Sequence, residues 1–162
     1  MRLWHYELLP YLPDLQFKGQ LRELVAIMHD WRDKGKTNHI LINKVMEYDK
    51  HDLYSYFMHY FKEYSKRYII KPSILKTRDE FIKFAELIPS KDFHFNGKGE
   101  IFTICYKINP FDNWHTKEYL RSNMANLWEK HFMGVGKSRI SDEEWETLLR
   151  GYKEITGEEY KI

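Results

Sequence analysis

The strongest constraint on the fold is the spacing of apolar residues after Pro13. Leu21, Leu24, Val25, Met28 and Trp31 recur at helical intervals, which places them on one face of a helix predicted over residues 14–31. Asp14 has the chemistry of an N-cap for it, and Asp33-Lys34-Gly35-Lys36 ends it. A face of this kind must be buried against other elements, and the rest of the chain supplies them. Leu41, Ile42, Val45 and Met46 predict a shorter helix. Residues 51–68 are dense in Tyr, Phe and Met and predict a long buried one. Thr77 with Glu80, and Ser141 with Glu144, match the capping-box pattern. They predict helices over 78–88, stopping at Pro89, and after Ser141, where Trp145, Leu148, Leu149 and Tyr152 make the apolar side. Thr116 begins another helix, carrying Leu120, Met124, Leu127 and Trp128. Pro10 and Pro13 bracket a short extended lead-in. Residues 93–95, Asn96-Gly97-Lys98-Gly99 and residues 101–106 predict a β-hairpin. The expected fold is mainly α, a compact single-domain helical bundle over residues 1–162 with one small β-hairpin.

The composition agrees. A chain of 162 residues with 43% hydrophobic and 17% aromatic residues can build one core. A mean hydropathy of -0.67 and the absence of an apolar run of roughly 20 residues argue against a membrane span. The first residues lack the apolar run of a secretory signal. Cys105 is the single cysteine, which excludes an internal disulfide and fits a reducing compartment. A cytoplasmic location is expected. No metal-ligand spacing is evident. The formal net charge of +2 does not by itself indicate a nucleic-acid partner. Residues 1–76 carry 13 basic and 9 acidic side chains (+4), and residues 77–162 carry 13 and 15 (-2). Lys62, Lys66, Arg67, Lys71, Lys76 and Arg78 form a basic run, readable as a phosphate-binding strip or as a solvated face.

The first helix has a second face. Gln16, Gly19, Gln20 and Glu23 fall at i, i+3, i+4 and i+7 and share one side. Arg22 lies beside this stripe, with Lys18 a turn earlier. A glycine within a helix costs roughly 1 kcal/mol relative to alanine. Gly19 therefore marks either a close approach of a ligand to the backbone or the seat of a neighbouring helix.

Met1-Arg2-Leu3-Trp4-His5, Leu12-Pro13 and Gly19-Gln20-Leu21-Arg22-Glu23, in this order and spacing, resemble the pyrimidine-dimer DNA glycosylase/AP lyase family, both the phage endonuclease V type and its bacterial relatives. Gly35-Lys36, Val45-Met46-Glu47-Tyr48 and Leu53-Tyr54-Ser55-Tyr56 extend the likeness, which covers about residues 1–72. Residues 73–162 carry no motif of the family and add further helices and the hairpin.

The resemblance implies a DNA repair enzyme that acts on pyrimidine dimers or abasic sites without a metal or organic cofactor. Its nucleophile is the N-terminal α-amine, here that of Met1, which the bulky Arg2 protects from removal. An α-amine has an unperturbed pKa of about 7.7–8.0, against about 10.4 for lysine, so a usable fraction is neutral near pH 7. Glu23 matches the essential glutamate, which can stabilise positive charge on the sugar and move protons. Arg22 matches an arginine that contacts DNA, and Arg2 supplies a second cation. Gln16, Lys18 and Gln20 complete the expected DNA contacts.

Three positions depart from the family pattern. Gln16 replaces a histidine, Ala26 an arginine, and Asp14-Leu15 an Arg-Gln pair. They put the lesion in question more than the amine–glutamate pair. The expected partner is damaged double-stranded DNA, engaged by a monomer with no membrane association. The rival readings are a non-catalytic nucleic-acid binding module of the same fold and a protein-interaction domain docking through the acidic last helix. Trp4, Tyr6 and Tyr11 serve either as core residues or to fill the gap left by a flipped nucleotide.

Overall fold

The computed structural model describes residues 2–87 and 106–162. Among the described residues six α-helices follow in order: α1 (Asp14–Lys34), α2 (Ile40–Val45), α3 (Lys50–Arg67), α4 (Pro72–Phe84), α5 (Lys117–Phe132) and α6 (Asp142–Thr156). No strand occurs among the described residues. The hairpin expected over 93–106, except for its last residue Tyr106, the helix stop at Pro89, Cys105 and Met1 lie outside them. Among the described residues, no helix is long and apolar enough to cross a membrane.

The residues group into two compact units, one of residues 1–26 with 111–162, the other of residues 27–110. In the first, α6 packs on a 3-10 turn over Tyr6–Tyr11 and on α5. Gly151 of α6 lies against Tyr11, so close that a Cβ there would fall 2.3 Å from the ring. Leu8, Leu9, Phe17, Leu24, Leu120, Leu127 and Leu148 are fully or almost fully buried. The Ser141–Glu144 capping box is present in full, and Thr116 caps α5 by accepting from the Tyr119 amide, both as the sequence predicts.

In the second unit α3 packs on α4. Phe57 and Phe81 stack at 4.3 Å between ring centroids, and Leu53, Tyr54, Tyr56 and Phe57 are wholly buried. The expected buried helix over 51–68 is therefore α3.

Four local expectations need correction. The lead-in is not extended: residues 6–11 form the 3-10 turn, with Pro10 inside it. Asp14 is the first residue of α1 rather than its cap, because the Phe17 amide already donates to the Pro13 carbonyl. Trp31 is only partly buried. The fourth helix starts at Pro72, six residues before the expected start. Proline at the first helical position has its φ preset and lacks only an amide that would be unpaired there. Thr77 consequently lies inside α4, where its hydroxyl donates to the Ser73 carbonyl at 3.1 Å, and Glu80 faces His29 at 3.5 Å.

Candidate active site

The stripe on α1 opens onto a cleft of about 310 Å³ in the first unit, lined by Arg2, Trp4, Gln16, Gly19, Gln20 and Glu23, with Leu15, Lys130 and Ser138 completing the rim. The volume is within the usual range for small-ligand pockets. Four of the predicted site residues, Arg2, Gln16, Gln20 and Glu23, thus meet in one place.

Glu23 is a half-buried carboxylate whose Oε2 accepts from the Arg2 backbone amide at 2.5 Å. The Arg2 guanidinium donates to Asn126 Oδ1 at 3.0 Å and lies 5.0 Å from the centre of the Trp4 ring, a cation–π geometry. Asn126 is oriented in turn by donating its amide to the Ser122 carbonyl at 2.8 Å. The arginine is therefore held by α5 and by its own near neighbour.

Gln20 is 1% exposed. Its Oε1 accepts from the Trp4 amide at 2.8 Å and its Nε2 donates to the Arg2 carbonyl at 3.0 Å, so its carboxamide braces the N-terminal segment. Trp4, 4% exposed, is packed in the core and also contributes to the cleft wall. Lys18 is outside the cleft, paired with Asp14 at 2.5 Å. Arg22 is exposed and lies alongside Gly19; a Cβ at Gly19 would stand 3.8 Å from its Nη2. That is ordinary contact distance, so among the described residues no neighbouring helix is seated on the glycine.

Two residues that sequence reasoning missed belong to the cleft, Lys130 and Ser138. A tight return of the chain brings them together. The Ile140 amide donates to the Lys130 carbonyl at 3.3 Å. A Cβ on Gly134 would fall 2.1 Å from that carbonyl oxygen and 2.9 Å from Arg139 Cα. Only glycine fits a backbone approach this close. The Ser138 hydroxyl donates to the Val135 carbonyl at 2.9 Å.

Behind the cleft two histidines hold the next stretch of chain. The Glu7 amide donates to His5 Nδ1 at 3.3 Å, which places the ring proton on Nε2, and Nε2 faces the His115 carbonyl at 2.9 Å. The Tyr6 amide donates to His115 Nδ1 at 3.2 Å. Burial lowers the His5 pKa to about 4 against the partial support of the His115 carbonyl. Burial, and then the neighbouring His5, push His115 well below the ordinary histidine value. Both rings are neutral at pH 7.

The arrangement combines a carboxylate, two cations from distant parts of the chain and side-chain amides around one opening. It suits a substrate that is anionic and develops positive charge during reaction. No curated protein and no solved structure matches the chain. Residues 1–75 match the family model of pyrimidine dimer DNA glycosylase, so the likeness to that family is shown over the stretch carrying Arg2, Gln16, Gln20 and Glu23.

Proposed function

We propose that the chain is a DNA glycosylase with AP lyase activity, acting on pyrimidine dimers or abasic sites in duplex DNA at the cleft of Arg2, Glu23 and Lys130. The observation that carries this reading is the bond from the Arg2 amide to Glu23. It ties the essential carboxylate to the nitrogen through which Met1 is joined to the chain.

In the proposed reaction the neutral α-amine of Met1 attacks C1′ of the damaged nucleotide. The glycosidic bond breaks with its electron pair going to the departing base, which takes up a proton. The amine nitrogen gives up its two protons as the base and then O4′ each take one up, the C1′–O4′ bond breaks with its electron pair going to O4′, and a C1′=N Schiff base is left. A proton is then removed from C2′, a C2′=C3′ double bond forms, and the 3′ phosphate leaves. Water finally hydrolyses the imine and restores the amine. Glu23 stabilises the positive charge on the sugar and serves as proton acceptor and donor. With an unperturbed α-amine pKa of about 7.7–8.0, a usable neutral fraction of the amine is available near pH 7. Arg2, Arg22 and Lys130 supply charge for DNA phosphates, Gln16 supplies hydrogen bonds, and Lys18 contributes at the outer edge of α1.

Untagged protein is expected to nick ultraviolet-irradiated and abasic duplexes without added metal. Glu23→Gln is expected to lower the rate by about 10²-fold or more, and acetylation of the α-amine to abolish cleavage. Intact DNA in both assays would refute the reading. Cleavage of abasic DNA alone would remove the dimer specificity and keep the amine chemistry.

A further inference from the structure

Residues 2–5 are bonded like the middle strand of a sheet, yet among the described residues no strand lies beside them. On one side, α1 satisfies the backbone of residues 2 and 4. Glu23 accepts from the Arg2 amide, and the Gln20 carboxamide spans the Arg2 carbonyl and the Trp4 amide. On the other side, α5 satisfies residues 3 and 5. The Tyr119 hydroxyl donates to the Leu3 carbonyl, and Asn123 Oδ1 accepts from the His5 amide at 2.6 Å. Successive residues of a strand present their backbone groups to opposite sides, which is the alternation seen here. Tyr119 and Asn123 are four apart on α5 and so share a face. Leu3 is wholly buried and Asn123 is 2% exposed. These backbone groups therefore have no access to water in place of the side chains.

We propose that Asn123, acting with Tyr119, is a positioning residue for the amine chemistry. It sets the register of residues 2–5 from the side opposite Gln20. A slip of one residue would exchange the two sides of the segment and carry the Arg2 amide away from Glu23. The inference rests on the glycosylase/lyase reading and extends it to α5, which lies outside the family-matched residues 1–75. The matched stretch thus supplies the carboxylate and one half of the brace, and α5 the other half.

The test is single-turnover borohydride trapping on an abasic duplex at saturating DNA, with the dissociation constant for the same duplex measured in parallel. Asn123→Leu, which keeps the volume and removes the hydrogen bond to the His5 amide, is the main variant. Tyr119→Phe removes a single hydroxyl and covers the case in which Asn123→Leu does not fold. Trapping is expected to fall at least about tenfold in Asn123→Leu and by a smaller factor in Tyr119→Phe, with DNA affinity kept within about threefold. Exchange of the Trp4 and His5 amides is expected to quicken in both. Variants that trap at the wild-type rate would overturn the positioning role and leave the enzyme reading intact. Equal loss of trapping and of DNA affinity would also overturn it, as a sign of general damage. Failure of the wild type to trap would overturn the enzyme reading and the positioning role together.

Discussion

The two units solve the problem of a core differently. In residues 27–110 the interior is filled by rings and aliphatic chains: Phe57 on Phe81, with Leu53, Tyr54, Tyr56 and Phe61 buried around them. Of its buried polar groups among the described residues, Glu63 accepts from Arg67 Nε at 2.7 Å, while Asp52 and Ser55 meet Lys107. Lys107 Nζ lies 2.9 Å from both Asp49 and Asp52, and the Lys107 amide donates to Ser55 Oγ at 2.8 Å. In residues 1–26 with 111–162 the buried polar groups are His5, Gln20, His115 and Asn123. Each pairs with backbone of residues 2–7 or, through His5, of residue 115. One interior is held by volume, the other by hydrogen bonds that fix a particular stretch of backbone. Burying a backbone amide without a partner is costly, so the second arrangement specifies position as well as stability. It is placed where the candidate chemistry needs position.

This contrast predicts different sensitivities. The largest effect is expected for Phe81→Ala, which removes a wholly buried ring from the stack on Phe57. A loss of about 3–5 kcal/mol in urea unfolding is expected. A loss under about 1 kcal/mol would show that the unit is not held by packing.

Acid is the next test and should strike the hydrogen-bonded unit. His5 and His115 are held neutral in the folded chain by burial, although Glu7 lies 3.9 Å from His5 Nδ1 and would favour its proton. The unfolded chain binds protons at about 6.5, the folded His5 at about 4. The unfolded state therefore holds more protons in that window. Stability is complete above it and falls as pH drops through it, by about 3 kcal/mol from His5 alone. His5→Gln is expected to flatten this fall in a pH series of unfolding curves. An unchanged slope would assign the acid sensitivity elsewhere.

The smallest of the three concerns Gln20→Met, which leaves the Arg2 carbonyl and Trp4 amide without their partner at nearly constant volume. A cost of about 1–3 kcal/mol is expected, together with faster exchange of the Trp4 amide. A variant as stable as the parent, with that amide still protected, would mean that the brace is dispensable.

Much of the fold was legible in the sequence. The period of Leu21, Leu24 and Met28 gives α1, the aromatic run gives α3, and Thr116 and Ser141 give the starts of α5 and α6, because these signals are local. The Thr77–Glu80 pattern misled because the same residues fit inside a helix once Pro72 has started it. The 3-10 turn escaped because two prolines suit extended chain as well. The stripe of Gln16, Gly19, Gln20 and Glu23 was readable as one face of a helix, and the cleft contains all four. Lys130, Asn126, Asn123 and His115 carried no signal. Each is an ordinary residue of a helix or its approach, and its part depends on residues more than a hundred positions away in the chain. For the same reason Gln20 read as a DNA contact, whereas its carboxamide is turned inward to the chain.

The central claim is that the Met1 α-amine, and no other amine, forms the Schiff base beside Glu23. Borohydride reduction on abasic duplex DNA, followed by proteolysis and mass spectrometry of the adduct, tests it most directly. The account predicts the sugar remnant on the Met1 nitrogen, with the yield collapsing in Glu23→Gln. Lys130 is the cleft's competing amine. An adduct on Lys130, or no adduct with an unblocked N-terminus, would contradict the account.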